Sequence, residues 1–455
     1  MSNQAVSLHS QPIATSPLSY EVKRIRLYTN LDESEQYINL EGALRTITIE
    51  ESIHKLGIEV IISLLDTQSL LELFKLGGNE KVEIVLGRID VEKQEDFTFD
   101  LTLNVTDIQN YSRRSRFEQY YDLVCVPEFV YNSQAKKLTR SFGGTIGTLI
   151  KNIFKNDLLV EEPLAIDESG GIVHGIYPRI SPLYAIEWLL KNAHKNETPY
   201  YCYQYAKNED SGKIKFESFQ DMVDQDIYDT YKYEPFFKPS DSTDQNTTPL
   251  ETYQNERRKI QSISSNLDIS KLRLLGEGGL ASTLHVIDYS DKSYNTHQHK
   301  HEDPIQLNEK VSYSKNVKFL NDKFTDLVDS KHFFLNKNSL AFENNTNYHN
   351  VNDQTILANN AYLRNFDTHS QEIVVAGDFN LRAGMKIEVK IERVLNTNDS
   401  LIWDEYFSGN YIIEKITHMF DNTFTQRIML KKDSFITDMD DILRVKRKDG
   451  DADEA

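Results

Sequence analysis

Cysteine is almost missing from this 455-residue chain, which carries two, Cys125 and Cys202, far apart in sequence. Thiols so placed make neither a disulfide scaffold nor a paired metal knuckle. Cys125, in DLVCVP, has no basic neighbour in sequence to activate it and reads as a small buried strand residue. Positive charge is also short, since 51 Lys and Arg against 70 Asp and Glu leave a formal net charge of −19. That balance disfavours a general affinity for nucleic-acid phosphates or anionic membranes. No apolar run approaches the ~18 consecutive residues of a membrane span, so stable membrane insertion is not expected. The opening MSNQAVSLHSQPIATSP lacks the basic start and apolar stretch of a secretory signal, which favours a soluble product retained in the cytosol before use.

The motifs of common chemistries are lacking as well. There is no HExxH, no GxSxG elbow and no complete P-loop, and Gly143-Gly144 and Gly170-Gly171 precede no phosphate-loop lysine. Acidic residues are so abundant that any carboxylate pair could be chosen, so no pair carries information about glycoside chemistry. No reaction class is warranted and no cofactor is expected.

What is present is β pattern. With 39% hydrophobic and 11% aromatic residues the chain is expected to fold, over about three domains by length alone. Residues 1–19 read as a flexible arm. From 20 to 131 the dominant period is two: Phe97, Phe99, Leu101, Leu103 and Val105 share one side of FTFDLTLNV. IEVIISLLD from Ile58 and KVEIVLG from Lys81 add strands, and a short helix between them starts at Asp66 or Thr67 and stops at Gly77-Gly78. This region reads as a barrel or strongly curved antiparallel sheet.

Residues 132–235 read as a mixed region. Its helices lie near 145–159, capped by Thr145, and near 181–194, with Ser181 at the cap and Pro182 at the first helical position. TPYYCYQYAK alternates Tyr201, Tyr203 and Tyr205 against Tyr200, Cys202 and Gln204. It reads as a core strand paired with GKIKFESF rather than as a nucleic-acid stacking platform. Residues 236–259 read as a polar linker, 260–290 as a strand-rich return, including LASTLHVIDY, and 291–372 as a polar insertion or subdomain. Within the insertion, HQHKH puts His297, His299 and His301 on one face if extended. An exposed loop is the plain expectation and a metal site the arrangement worth testing. Arg113, Arg114 and Arg116 in YSRRSRF read as a solvated turn between strands, with a local basic patch as the alternative.

The last domain, 373–435, resembles the first in rhythm. After QEIVVAG, Gly377 and Asp378 turn the chain and Gly384 permits a second turn, while Met385, Ile387, Val389 and Ile391 share a face of the next strand. YIIEKITHMF and TFTQRIMLKK make a hairpin across Asp421-Asn422, with His418 as a strand residue rather than a catalytic base. Residues 436–455 read as a charged, solvated tail.

The order of these blocks resembles the central baseplate hub of contractile-tailed bacteriophages, related to the base of the spike proteins of bacterial contractile injection machines. LLELFKLGGNEKVEIVLG at 70–87, the block at 120–154, IYPRISPLYAIEWLLKNAH at 176–194, GEGGLASTLHVIDYSDKSYN at 276–295 and the hairpin at 409–435 carry the resemblance. It implies a mainly β fold with α+β elements, in which two tube-like β-barrel domains are joined by a small helical or mixed region. It further implies a noncatalytic homotrimer forming a pseudo-sixfold ring, with a hexameric tail tube, a trimeric central spike and neighbouring baseplate proteins as partners. DNA would pass through its lumen without sequence-specific binding, in a virion assembled in the bacterial cytoplasm. Gly377, Asp378, Gly384 and Met385 would then shape a strand edge of the second tube domain, and Ile387 and Val389 its sheet. A spike-associated cell-wall hydrolase and a receptor-binding tail protein are the alternatives.

Overall fold

The computed structural model describes residues 16–29, 37–78, 80–89, 96–160, 164–195, 198–206, 214–233, 249–267, 271–289, 292–300, 318–319, 322–323, 326–337, 353–366, 369–393, 403–404 and 407–432. The fold is mainly β, with antiparallel sheets and accessory helices. The first half consists of seven strands: β1 (Glu21–Tyr28), β2 (Tyr37–Asn39), β3 (Leu44–Ser52), β4 (Glu59–Asp66), β5 (Lys81–Ile89), β6 (Asp96–Arg113) and β7 (Gln119–Pro127). They pair in the order β3-β4-β7-β6-β5-β1-β2. The period of two expected from sequence fills one core. Ile25, Ile47, Ile49, Val60, Ile62, Ile84, Phe99, Leu101, Leu103 and Val105 all point into it. Cys125 is buried there, and burial pushes its thiol, like that of Cys202, up and away from reactivity.

The middle region carries β8 (Ser141–Thr145), β9 (Leu164–Ile166), β10 (Ile172–Ile176), β11 (His194–Lys195), β12 (Thr198–Gln204) and β13 (Ile214–Ser218). Every residue of β12 is buried because the strand lies between two cores. Tyr201, Tyr203 and Tyr205 enter one, and Tyr200 and Cys202 enter the other. KFESF pairs with it antiparallel as expected, with Tyr200 stacked on Phe216 at 4.5 Å. The expected helices are present as Ile146–Asn152, continued by a π turn over Ile153–Asp157, and Pro182–Leu190. Their capping differs from expectation. Thr145 bonds Thr148 Oγ1 instead of a backbone N–H, and the Leu183 N–H is taken by buried Ser133 at 3.1 Å. A tertiary partner therefore does the work of a local cap.

The second half draws on distant segments: β14 (Thr230–Tyr233) and β15 (Ile260–Leu267), then, after an outlying sheet, β21 (His369–Ala376), β22 (Lys386–Ile391), β23 (Gly409–Phe420) and β24 (Phe424–Lys432). The outlying sheet has the order β17-β16-β20, from β16 (Ala281–Asp288), β17 (Ser293–Lys300) and β20 (His332–Lys337). The two-residue strands β18 (Lys318–Phe319) and β19 (Asp322–Lys323) pair with each other. Leu284 and Val286 pack on Leu357 of the Asp353–Phe366 helix.

Several expectations are corrected here. Pro249–Arg258, inside the segment read as a polar linker, is a helix held by ion pairs from Arg257 and Arg258 to buried Asp229. Residues 16–19 of the expected arm are anchored, because Leu18 O accepts from Phe424 N at 2.7 Å. His297 and His299 stand in strand β17 rather than in a loop. Its pairing with β16 serves one edge of the backbone although the strand has little apolar alternation of its own. His301 lies outside the described residues, and no cluster of three metal-ligating side chains occurs among the described residues. The Leu70–Phe74 helix ends at Lys75 (φ 48°), ahead of the glycines, and Asp66 accepts from Leu70 N at 2.7 Å.

Candidate functional site at the seam

The two halves are not separate bodies. All thirteen strands form one sheet, and β23 is where they join. Along one edge it pairs first with β22 (Ile412 opposite Lys386) and then with β3 (Lys415 opposite Ser52), while β24 follows its other edge. The ladder shifts register between Ile413 and Lys415, leaving Glu414 as a bulge at the branch. Ile413 N donates to Met385 O and its carbonyl accepts from Gly384 N, whereas the Glu414 carbonyl accepts from Ile53 N. The Glu414 side chain pairs with His54 at 3.1 Å and Lys431 at 2.6 Å. Burial alone would raise its carboxyl, but these two partners hold it below the usual range.

The segment from Gly377 to Met385 threads this branch. Gly384 has φ +81°, and a Cβ there would overlap the Tyr203 hydroxyl, so the position admits no side chain. A Cβ at Gly377 would overlap the Phe424 ring. Asp378 is buried; its Oδ1 accepts from Asn380 N, and its Oδ2 accepts from Tyr228 Oη at 2.7 Å and lies 3.9 Å from Arg257. Met385 is half-buried, and Ile387 and Val389 lie fully in the second core. Gly377, Asp378 and Gly384 are thus buried on the segment that threads the branch, Met385 is half-buried at it, and Ile387 and Val389 lead away from it along β22.

Residues that the sequence reading passed over complete the site. Glu51, 1% exposed, accepts from Ala206 N at 2.7 Å, from Ala383 N at 3.2 Å and from His418 Nε2 at 3.2 Å. One carboxylate thereby ties the first half, the tyrosine strand and the second half. Gln426 accepts from Asp378 N at its Oε1 and donates to Asp378 O from its Nε2, which fixes the orientation of its amide. The second amide hydrogen then meets His418 Nδ1 at 2.9 Å, so the imidazole carries its proton on Nε2 and donates it to Glu51. Arg88 of β5 crosses the seam too, donating to Gly377 O at 2.9 Å and Pro17 O at 2.6 Å beside the Phe379 ring. Apolar packing crosses with it, since Phe379, Phe420 and Phe424 sit in the core of the first half.

A signal for this network existed in the sequence. Glu51 follows Ile47 and Ile49 on the inward face of β3, His418 lies between Ile416 and Phe420 on β23, and Gln426 between Phe424 and Ile428 on β24. Three polar groups at inward positions of strands that turn out adjacent must satisfy one another. The arrangement holds structure and presents no nucleophile. The Arg113–Arg116 segment is an exposed turn at the end of the β6–β7 hairpin, as expected. No described helix is long and apolar enough to cross a membrane.

The fold as a whole is similar to that of other chains. It is similar to that of a tail protein from Neisseria meningitidis MC58, with a TM-score of 0.50 at 10% identity over 91% of this chain and 97% of that one. It is likewise similar to the 43 kDa tail protein of prophage MuSo2 from Shewanella oneidensis, with a TM-score of 0.51 at 8% identity over 92% and 100% of the two chains. At such identities the likeness is one of fold. No protein-family model matches the chain, and no curated protein matches its sequence.

Proposed function

We propose that this chain is a structural part of a phage-type tail and works, without catalysis, as its baseplate hub. Three copies close a ring of pseudo-sixfold symmetry, each giving two tube-like β domains, and the ring adapts a hexameric tail tube to a trimeric central spike around the DNA passage. The observation that carries the reading is the splice at β23, which joins two β-rich halves in one sheet within a single chain. Likeness of fold to the two tail proteins supports a place in a virion tail. Gly377, Asp378, Gly384 and Met385 set the branch at which the second domain meets the first, and Ile387 and Val389 pack it. The acidic balance would discourage passing DNA from adhering to the wall. Cryo-electron microscopy of the assembled particle tests this reading. Three copies coaxial with the tube are expected, and six copies, a monomer or a peripheral position would overturn it.

One observation favours a second reading, a receptor-binding tail protein. On the outer face of the small sheet the rings of Tyr294, His285 and Phe334 stack at 5.8 and 4.8 Å, and Tyr294 and Phe334 are exposed. Glycan binding lost in Phe334→Ala, with the chain at the tail periphery, would favour it over the hub. Degradation of peptidoglycan by the purified chain would instead revive a cell-wall hydrolase.

A further inference from the structure

The hairpin that joins β6 to β7 forms an arm in that one edge of β6 is free of described strands beyond Asn104 and its turn, residues 114–118, lies beyond the last pair of β7 with β4. β6 runs for 18 residues, but β5 accompanies it only to Asn104. Beyond that point Val105 N donates to Glu80 O, and no other described strand pairs the outer edge. The inner edge stays on β7, which β4 backs as far as Gln119. Side chains stiffen the arm: Asn110 Nδ2 donates to Asp122 at 2.6 Å, Tyr111 Oη donates to Gln119 Oε1 at 3.2 Å, and the Arg114 guanidinium lies 5.2 Å from the Tyr120 ring centroid. Register shifts at Val105/Asp107 and Gln109/Ser112 bulge the strand, which hinders indiscriminate edge pairing.

At its end the arm shows what a protein surface usually hides. Tyr111 is 55% and Phe117 76% exposed, among exposed Arg113, Arg114 and Arg116. Leu73, 67% exposed, belongs to the helix that leaves β4 at that same end of the sheet. Arginine and aromatic side chains are the types concentrated at interface hot spots, and an arm already ordered loses little entropy on docking.

Charge selects the partner. QNYSRRSRFE, residues 109–118, holds three arginines and one glutamate, whereas the whole chain carries −19. The surface of a second copy of this chain is therefore attractive to the tip. We infer that the β6–β7 arm grips the neighbouring copy, with Arg113, Arg114 and Arg116 guiding the approach and Tyr111 and Phe117 buried on contact. The inference rests on the ring reading above and names the element that makes its contact. DNA phosphates would attract the same arginines, but the net charge of the chain opposes its approach, so nucleic acid is an outcome of the test.

Sedimentation velocity of the full chain at low and high salt tests it. Two variants are compared with the native chain, one carrying Arg113→Glu, Arg114→Glu and Arg116→Glu and the other Tyr111→Ser and Phe117→Ser, each checked for an unchanged melting temperature. The native chain should self-associate at micromolar concentration, more weakly at high salt, and each variant should lose at least about tenfold in association constant. A native trimer that survives both sets of substitutions overturns the arm and leaves the ring reading standing. A native chain that stays monomeric overturns both. DNA binding that disappears in the arginine variant while its self-association persists assigns the tip to nucleic acid and overturns the arm as well.

Discussion

The first half of the sheet and the second are assembled by different routes. From β1 to β7 the strands come consecutively along the chain, and their inward positions are apolar almost throughout. The second half collects β14 and β15 from more than a hundred residues before β21–β24, and β14 joins β22 in parallel. It also buries lysines, Lys386 and Lys432, where the first half buries mainly carboxylates. Lys386 donates to Val223 O at 2.8 Å, Lys432 to Ser408 O at 2.9 Å, and Arg257 and Arg258 both hold Asp229. Closing long loops is entropically expensive, and apolar contact alone specifies a partner poorly. Directional bonds to single carbonyls and carboxylates fix which distant strand docks where.

The contrast is best broken at the seam. Glu51→Ala leaves the N–H groups of Ala206, Ala383 and His418 without their acceptor, and should cost about 3–5 kcal/mol. Urea unfolding should then separate into two steps; one unchanged cooperative step would mean that the halves are joined by apolar packing alone. Gly384→Ala adds a Cβ at positive φ against Tyr203 and should cost about 2–3 kcal/mol in the same measurement.

Acid sharpens the comparison, since the second half holds a histidine whose protonation folding resists. Burial, and then Lys432, pull His369 from its ordinary 6.5 down to about 3. The unfolded chain therefore takes up that proton first as pH falls. The contribution is complete above 6.5 and lost toward 3, at up to about 1.4 kcal/mol per pH unit. Urea midpoints measured from neutral pH down to about pH 5 should fall less steeply in His369→Gln. The smallest effect belongs to the surface of the first half. Lys55 pairs with Glu50 and Glu59 in solvent, and Lys55→Ala should move stability by less than about 0.5 kcal/mol, readable as a near-unchanged melting temperature.

Much of this was legible in the sequence where neighbours in the chain are neighbours in space. The alternation in FTFDLTLNV, the pairing of TPYYCYQY with KFESF, and the hairpin across Asp421-Asn422 all need only short-range pattern. Gly384 was readable as a turn, but its partner Tyr203 was not, because nothing local says that β12 passes beneath. Strand β17 was hidden since it is held by pairing with β16 along one edge while its side chains are mostly polar on both faces. The helix at Pro249–Arg258 was masked by a polar composition that only makes sense once Asp229 lies beside Arg257 and Arg258. At the seam, each of Glu51, His418 and Gln426 interrupts an apolar row, yet their meeting depends on a register that no single strand encodes.

The double pairing of β23 has a mechanical consequence. Because β23 belongs to both halves, turning one against the other means shearing the backbone ladder from Lys415 to Phe420 and pulling the Glu51 carboxylate away from Ala383 N and His418 Nε2. A pull on either half is therefore met by two backbone ladders of one strand, β23 with β22 and β23 with β3.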